Sequence, residues 1–471
     1  MPLSLEERMR TYIVERLGGL DALHHGATFI GDGVPLNWQS LVRYLHQQDI
    51  VSAPQFLFGK MRNDRPKVYN AQLSLKQDAR KTDGRILGDS GFGAAFSAEE
   101  ALSKTVGETL ERFFLSTYKR EHLRRASWND IRNSRTNALD IRSLNTFLTW
   151  QKSSRPEFDV KDDSPLYWTA GEDLATGKEA WLPAQLVFWN YKHSDERMLA
   201  RTTTSGCAGH FSKKEAVLSS LLENIQRDGF FMYWLNSLPP RIIDTSGVRG
   251  EEFHRLLETL ARYRLEPIFV NTTSDVGVPS VTCVLIDRTL PESPIISIGG
   301  GTGFELENIL VHSAIESLLI NTYAADTETY KLSTPHEAFT DARIWRPQRL
   351  SAWKGSEMER RFDFFISGKK QSAEEFMGHA GSLRSTEEQL AYILEKLGKL
   401  GEGYEVYVYE ARNPVLKTLG YHAVRTIVPQ LFPLYLWEPA APLESKRLGE
   451  VPQKLGYAPA RKINPWPHPF P

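Results

Sequence analysis

The sequence predicts an α+β fold with mixed or antiparallel sheets, on three observations. Strand-like and helical stretches alternate without a strict βαβ rhythm. A glycine-rich segment feeding an acidic helix is written three times along the chain. With 471 residues, 41% of them hydrophobic, the chain can bury a large core around such units.

Residues 1–85 read as one or two helices followed by short strands, with Leu57, Val68 and Leu73 in extended stretches and Lys76–Arg85 a polar loop. The first glycine segment and its helix occupy 88–115. Between 120 and 200 a polar helical region mixes with strand-like runs such as Glu179–Val187, and 152–164 reads as a surface loop. The second unit occupies 203–236. Leu257–Arg262 reads as helix, and Glu266–Asn271, Ser280–Asp287 and Ile295–Ile298 as strands. The third unit begins at 299. Residues 335–380 are charged and aromatic without a clear period. Glu387–Leu400 reads as helix and Tyr404–Glu410 as strand.

The repeated unit carries the chemistry. Its first copy is Ser90-Gly91-Phe92-Gly93, then Phe96-Ser97, Glu100-Ala101, Glu108 and Glu111-Arg112. The second is Ser205-Gly206-Cys207-Ala208, then Phe211-Ser212, Glu215-Ala216, Glu223 and Gln226-Arg227. The third, looser, is Gly299-Gly300-Gly301, then Phe304, Asn308 and Glu316. Copies this far apart do not make a solenoid; they suggest equivalent units around a shared centre, the glycines forming turns. Ser97 with Glu100, and Ser212 with Glu215, have capping-box spacing, so each helix should start there. Glu100, Lys104, Glu108 and Glu111 then share one face, as do Glu215, Ser219, Glu223 and Gln226, and as do Asn308, His312, Glu316 and Leu319. Leu102, Val106 and Leu110, and Val217, Leu221 and Ile225, form the packing stripes. A charged row on a helix is usually a solvated face, and capping alone could account for Glu100 and Glu215. Recurrence behind the same glycines favours a site instead. Carboxylates gathered from several helices need a cation between them, and Mg²⁺ with the phosphates of ATP meets that need. No Gly-Lys-Ser/Thr follows any glycine segment, so this is not a Walker A loop.

Composition excludes several classes. A net charge of -1 offers no basic field for nucleic acid. No apolar run approaches the roughly 20 residues that cross a bilayer. The N-terminus is charged throughout, unlike a signal peptide. Two cysteines, Cys207 and Cys283, point to a reducing cytoplasm rather than a disulfide framework.

SGFGAAFSAEEALSKTVGETLERF and SGCAGHFSKKEAVLSSLLENIQRDGFFMYW resemble the two signature segments of YcaO-domain proteins, over a span from about residue 85 to the C-terminus. The ending Pro467-His468-Pro469-Phe470-Pro471 resembles the Pro-x-Pro-x-Pro terminus of members that form azolines in ribosomal peptides. The resemblance implies a YcaO-like fold around a central ATP/Mg²⁺ site. It implies an N-terminal segment 1–85, a catalytic domain 86–438 and a proline-rich tail 439–471. It further implies attack of a Cys, Ser or Thr side chain on the preceding carbonyl, phosphorylation of that amide oxygen by ATP and loss of phosphate, leaving a thiazoline or oxazoline.

Carried onto this chain, the resemblance implies Glu108, Glu111, Glu215 and Glu223 as metal ligands. Lys104, Ser219, Gln226 and Glu316 join those four at the nucleotide. Arg112 and Arg227 would balance charge on the transferred group, and Pro467, Pro469 and Pro471 would support turnover beside it. Lys104 could instead pair with Glu100 or Glu108. Gln226 stands where the family has a second glutamate, and Leu319 where glutamine is common. By itself the tail reads as disordered or as an extended polyproline II strand, with His468 a candidate base. The implied partners are a precursor peptide, a separate leader-binding protein resembling a ubiquitin-activating enzyme, a flavin-dependent azoline dehydrogenase and a second copy of the chain in a homodimer. The competing readings are a YcaO enzyme forming thioamides or amidines, and a catalytically silent scaffold. Removing Trp466–Pro471 is expected to lower activity far more than stability.

Overall fold

The computed structural model describes residues 36–58, 65–76, 90–193, 195–331, 339–340, 346–458 and 462–470. The expected helix before residue 36, most of the 76–85 loop and Pro471 lie outside them.

The fold is α+β and built on three sheets. The smallest runs β1 (Leu57–Phe58), β2 (Tyr69–Ser74), β3 (Ser90–Ala95), all antiparallel. The largest has the order β4 (Arg124–Ala126), β5 (Leu166–Asp173), β13 (Tyr407–Glu410), β14 (His422–Ile427), β7 (Cys207–His210), with β6 (Lys178–Pro183) paired to β5. The third has the order β11 (Ile295–Thr302), β10 (Ser280–Asp287), β9 (Leu265–Asn271), β8 (Ile242–Asp244), β12 (Lys370–Ser372), and only β12 runs parallel to its neighbour.

Each sheet carries one acidic helix. Ala98–Ser116 packs on β2 and β3, Lys213–Leu235 on β7 and β14, and Leu306–Asp326 on β10 and β11. The first and third glycine segments are therefore strands, not turns, whereas in the second Ser205-Gly206 is the expected turn and the strand begins at Cys207. Their glycines serve close approach: a Cβ on Gly91 would lie 2.1 Å from Thr109 Oγ1, and one on Gly299 2.2 Å from the Ser313 carbonyl. A helix can lie this near a strand only where the strand has no side chain. Gly206 alone among these glycines also needs its freedom, at φ +79°.

Expected helices and strands recur within a few residues, as Glu251–Arg262, Thr386–Leu400 and Ser280–Asp287 show. Four local readings are corrected. The Glu179–Val187 strand ends at Pro183, and Ala184–Val187 is a helical turn. The 152–164 loop contains the end of the helix Thr149–Ser154 and a 3₁₀ turn at Pro156–Phe158, held down because Phe158 is buried against Phe147. The unpatterned 335–380 stretch includes the helix Ser356–Ile366, whose Phe362 and Phe365 enter the core. The second capping box is not made: Ser212 precedes its helix without a side-chain cap bond, and its N–H donates to His210 Nδ1 instead (3.0 Å). Ser97 does cap, accepting from the Glu100 N–H (3.2 Å).

The C-terminal segment is built into the core. Asn464 bonds both Leu235 O (2.7 Å) and Trp234 O (3.1 Å), and Trp353 Nε1 donates to Pro467 O (3.1 Å). Pro467, His468, Pro469 and Phe470 are all buried. A run of prolines has few main-chain donors to satisfy, so aromatic packing can enclose it cheaply.

Candidate active site

One geometric device recurs at the centre of the molecule. In each unit a glutamate on the helix accepts a hydrogen bond from the backbone of the glycine strand. Glu108 Oε2 accepts from Phe92 N–H, Glu223 Oε2 from Gly206 N–H (2.9 Å) and Glu316 Oε2 from Gly300 N–H (2.5 Å). The three side chains are exposed to nearly the same degree, 29%, 28% and 24%. None of the three is either fully solvated or enclosed. The strand fixes one oxygen of each carboxylate, so its direction is set before any ligand arrives.

Arginines one helical turn on complete the first two units, whereas the third has Ile320 at that position. Arg112 Nη2 pairs with Glu108 Oε1 (2.8 Å), and its Nη1 donates to Ser90 O (2.6 Å). Arg227 Nη2 pairs with Glu223 Oε1 (3.1 Å) and lies 3.9 Å from Glu316 Oε1, joining the second helix to the third. The first helix joins through Glu111. Burial and repulsion from Glu108 and Glu223 push its carboxyl well above the usual range, against the pull of Arg112 and Arg425. Burial likewise raises Glu223, opposed by Arg227 and the Gly206 N–H and reinforced by Glu316. At His312, desolvation lowers the proton affinity, Glu316 raises it, and Lys104 and Arg227 lower it further. Glu108, Glu111, Glu223 and Glu316 therefore share one field.

A cavity of about 520 Å³ opens between the second and third helices. Its wall includes Ser219, Glu223, Gln226, Arg227 and Glu316 from the expected set, with Asn308, His312 and Gln389 added. This size suits a small-molecule ligand. Carboxylates with raised proton affinity beside an open hollow are a donor set suited to a cation. Among the described residues no three His, Cys, Asp or Glu side chains form a ready metal cage. Mg²⁺ does not need one, since it takes one or two carboxylates and completes its shell with phosphate and water. The residues present fit Mg²⁺ carried with a nucleotide.

Three of the expected residues are already engaged by protein partners. Glu215 accepts from Thr386 Oγ1 (2.5 Å), two helical turns from Glu223. Lys104 pairs with Glu100 (2.6 Å). Gln226 Oε1 is taken by Arg227, and the side chain packs on Gly300, where a Cβ would come within 2.3 Å of it. The tail does reach the site: Phe470 stacks under the Arg227 guanidinium at 4.1 Å. His468 is no base. Its Nε2 donates to Tyr435 O (2.8 Å), and burial, with Arg349 adding, holds its proton affinity far below normal.

Arg425 is the residue the sequence reading missed. Its guanidinium donates to Thr203 O (2.9 Å) and Ser205 O (3.1 Å), contacts Cys207 Sγ (3.4 Å) and acts on both Glu111 and Glu223. The available signal was a lone arginine in the apolar strand His422–Ile427.

Residues 92–432 match the family model described as YcaO cyclodehydratase, ATP- and Mg²⁺-binding. That is well over half of the chain, and the protein belongs to the YcaO family, whose cofactors are ATP and Mg²⁺. An uncharacterized protein of Methanothermobacter thermautotrophicus is 30% identical over 154 residues, which is 32% of this chain and 40% of that protein. Three solved structures share the fold. A heterocyclase in complex with substrate and cofactor aligns at TM-score 0.70 and 17% identity, covering 91% of this chain and 57% of that one. YcaO from Methanopyrus kandleri, bound with AMPPCP and Mg²⁺, aligns at 0.58 and 16%, covering 84% and 91%. The E. coli microcin synthetase McbBCD complex aligns at 0.56 and 15%, covering 88% and 96%. The chain thus spans less than two thirds of the first of these structures and of its sequence relative. Among the described residues no helix is long and apolar enough to cross a membrane.

Proposed function

We propose that the chain is the catalytic subunit of an ATP-dependent peptide cyclodehydratase, converting Cys, Ser or Thr of a ribosomally made precursor to thiazoline or oxazoline. The observation that carries this reading is the thrice-repeated pairing of a glycine-segment N–H with a helix carboxylate, with Glu223 and Glu316 lining one cavity and Phe470 against Arg227. The solved relatives with AMPPCP and Mg²⁺, or with substrate and cofactor, support it by fold.

In this reading Glu108, Glu111 and Glu223 hold Mg²⁺, and Glu316, Ser219 and Gln226 orient the nucleotide. Mg²⁺-ATP supplies the phosphoryl group that turns a peptide oxygen into a leaving group. Arg112 and Arg227 are positioned to offset negative charge, each already braced on a carboxylate. Glu215 and Lys104 are assigned to the rim. Pro467, Pro469 and Pro471 act by placing Phe470 and the chain end, not by acid–base chemistry. The partners proposed are the precursor peptide, a leader-binding protein resembling a ubiquitin-activating enzyme, a flavin-dependent dehydrogenase and a second copy of the chain. The proposed compartment is the reducing cytoplasm, in keeping with two free, buried cysteines.

One observation favours a second reading, the silent scaffold: Gln226 brings no charge and is engaged by Arg227. Incubation with precursor, partner and ATP separates them. Loss of one water mass per modified residue, with ADP and phosphate released, is the expected result. A chain that binds nucleotide and never releases phosphate is the scaffold. Exchange of oxygen for sulfur would indicate a thioamide enzyme.

A further inference from the structure

The repeated device is left open at one of its three positions. The residues that give an N–H to the helix glutamate are Phe92, Gly206 and Gly300. In the second and third units the second acidic helix roofs that position. A Cβ on Gly206 would lie 2.6 Å from the Asn224 amide, and one on Gly300 2.3 Å from the Gln226 amide. Cys207, which aligns with Phe92 in the sequence repeat, is buried as well. The first unit differs. Phe92 is the one exposed residue of the strand Ser90–Ala95, at 41%.

The place of the ring is fixed on two sides. Its own N–H holds Glu108, and the Arg112 guanidinium that pairs with Glu108 lies 5.5 Å from the ring centroid. The ring therefore stands beside the acidic centre. It also stands outside the nucleotide-sized cavity, whose wall is drawn from the second and third helices, residues 301–305 and Gln389. A lone exposed apolar side chain is ordinary on a protein surface. Here it occupies the one position of a threefold device whose two counterparts are closed by protein. An open ring takes apolar carbon, and above all a second ring set edge-to-face or offset. The nucleotide has its own hollow, so the reactant left for this side is the peptide.

We propose that Phe92 is a specificity-determining contact for the acceptor peptide. It receives the side chain of the residue that precedes the cyclised Cys, Ser or Thr and favours an aromatic or large aliphatic one there. That residue supplies the carbonyl under attack, so its side chain is carried nearest to the centre. The proposal rests on the cyclodehydratase reading and adds to it a preference at one peptide position.

The probes are two acetylated, amidated hexapeptides, Gly-Gly-Phe-Cys-Gly-Gly and Gly-Gly-Gly-Cys-Gly-Gly, added to the full chain with AMPPCP and Mg²⁺. Ligand-observed NMR titration is expected to show the phenylalanine peptide binding the wild type about tenfold more tightly than the glycine peptide. Phe92→Ala should erase that preference and Phe92→Trp should keep it, a pattern that a ring serving only to prop Glu108 would not give. Equal binding of the two peptides to the wild type, binding of neither, or a preference that survives in Phe92→Ala overturns the proposal. A loss of AMPPCP affinity in Phe92→Ala as large as the loss with the phenylalanine peptide assigns the ring to the nucleotide and overturns it too. Titration of AMPPCP with and without Mg²⁺ into the wild type judges the cyclodehydratase reading separately. Absence of nucleotide binding sinks that reading, whereas nucleotide binding with no preference between the peptides sinks only the Phe92 contact.

Discussion

Glu111 is the most informative single residue. Its neighbours are two carboxylates and two arginines, and its proton affinity is raised by burial first and by Glu108 and Glu223 next. The folded state therefore holds a proton that the unfolded chain, at an ordinary carboxyl value near 4.3, gives up. Where the folded state binds more protons, stability falls as pH rises. Without ligand, this group's contribution is thus most favourable below the ordinary carboxyl value and declines from there upward through the raised one. Mg²⁺ with AMPPCP should remove the decline, since the cation takes the proton's place. Glu111→Gln is expected to raise the ligand-free unfolding temperature at pH 8 by about 1–3 °C and to weaken Mg²⁺-dependent nucleotide binding. Scanning calorimetry with and without ligand checks both signs. A variant less stable than the wild type at pH 8 would contradict the electrostatic account. At the same scale, Glu108→Ala and Glu223→Ala should each lower ATP turnover by roughly 100-fold or more, read as phosphate release with the circular dichroism spectrum unchanged.

Among the elements, the glycine strands were legible as a repeat but not as strands. Glycine signals a turn when only the chain's own direction is considered. Here most of these glycines are set by the helix lying against them, which a sequence does not display. Gly299→Ala should cost about 1–3 kcal/mol, because the new Cβ meets helix backbone 2.2 Å away rather than a side chain that can turn aside; urea denaturation measures this. The tail corrects the expectation about truncation. Phe470 and His468 are fully buried among Phe230, Phe231 and Tyr435. Removing Trp466–Pro471 should therefore destabilise the protein along with lowering activity, and Phe470→Ala alone should cost about 3–5 kcal/mol. A truncated chain with unaltered unfolding would refute this packing.

At the scale of the whole molecule, three units from three sheets meet in one electrostatic field. The arrangement is anchored from the rear by Arg447, which bonds Asp228 on the second acidic helix (2.6 Å and 2.5 Å), Asp275 (2.7 Å) and Tyr404 (2.8 Å). Breaking a buried network at one partner strands the opposite charge, so Arg447→Leu should cost about 3–5 kcal/mol, measured by chemical denaturation. The α+β class, the acidic helices and the roles of Glu108, Glu223 and Glu316 as equivalents could be read from spacing, because each repeats locally. Arg425 and the Thr386 contact of Glu215 could not. Each depends on segments hundreds of residues apart meeting in space, with no periodic trace in either.

The central claim is that the three helices serve one metal–nucleotide centre. Calorimetric titration of AMPPCP into the wild type, Glu108→Ala, Glu223→Ala and Glu316→Ala, with and without Mg²⁺, tests it most directly. The expected result is a single site per chain whose affinity needs Mg²⁺ and falls at least tenfold in every variant. Binding that survives intact in any two variants, or that ignores Mg²⁺, would contradict it.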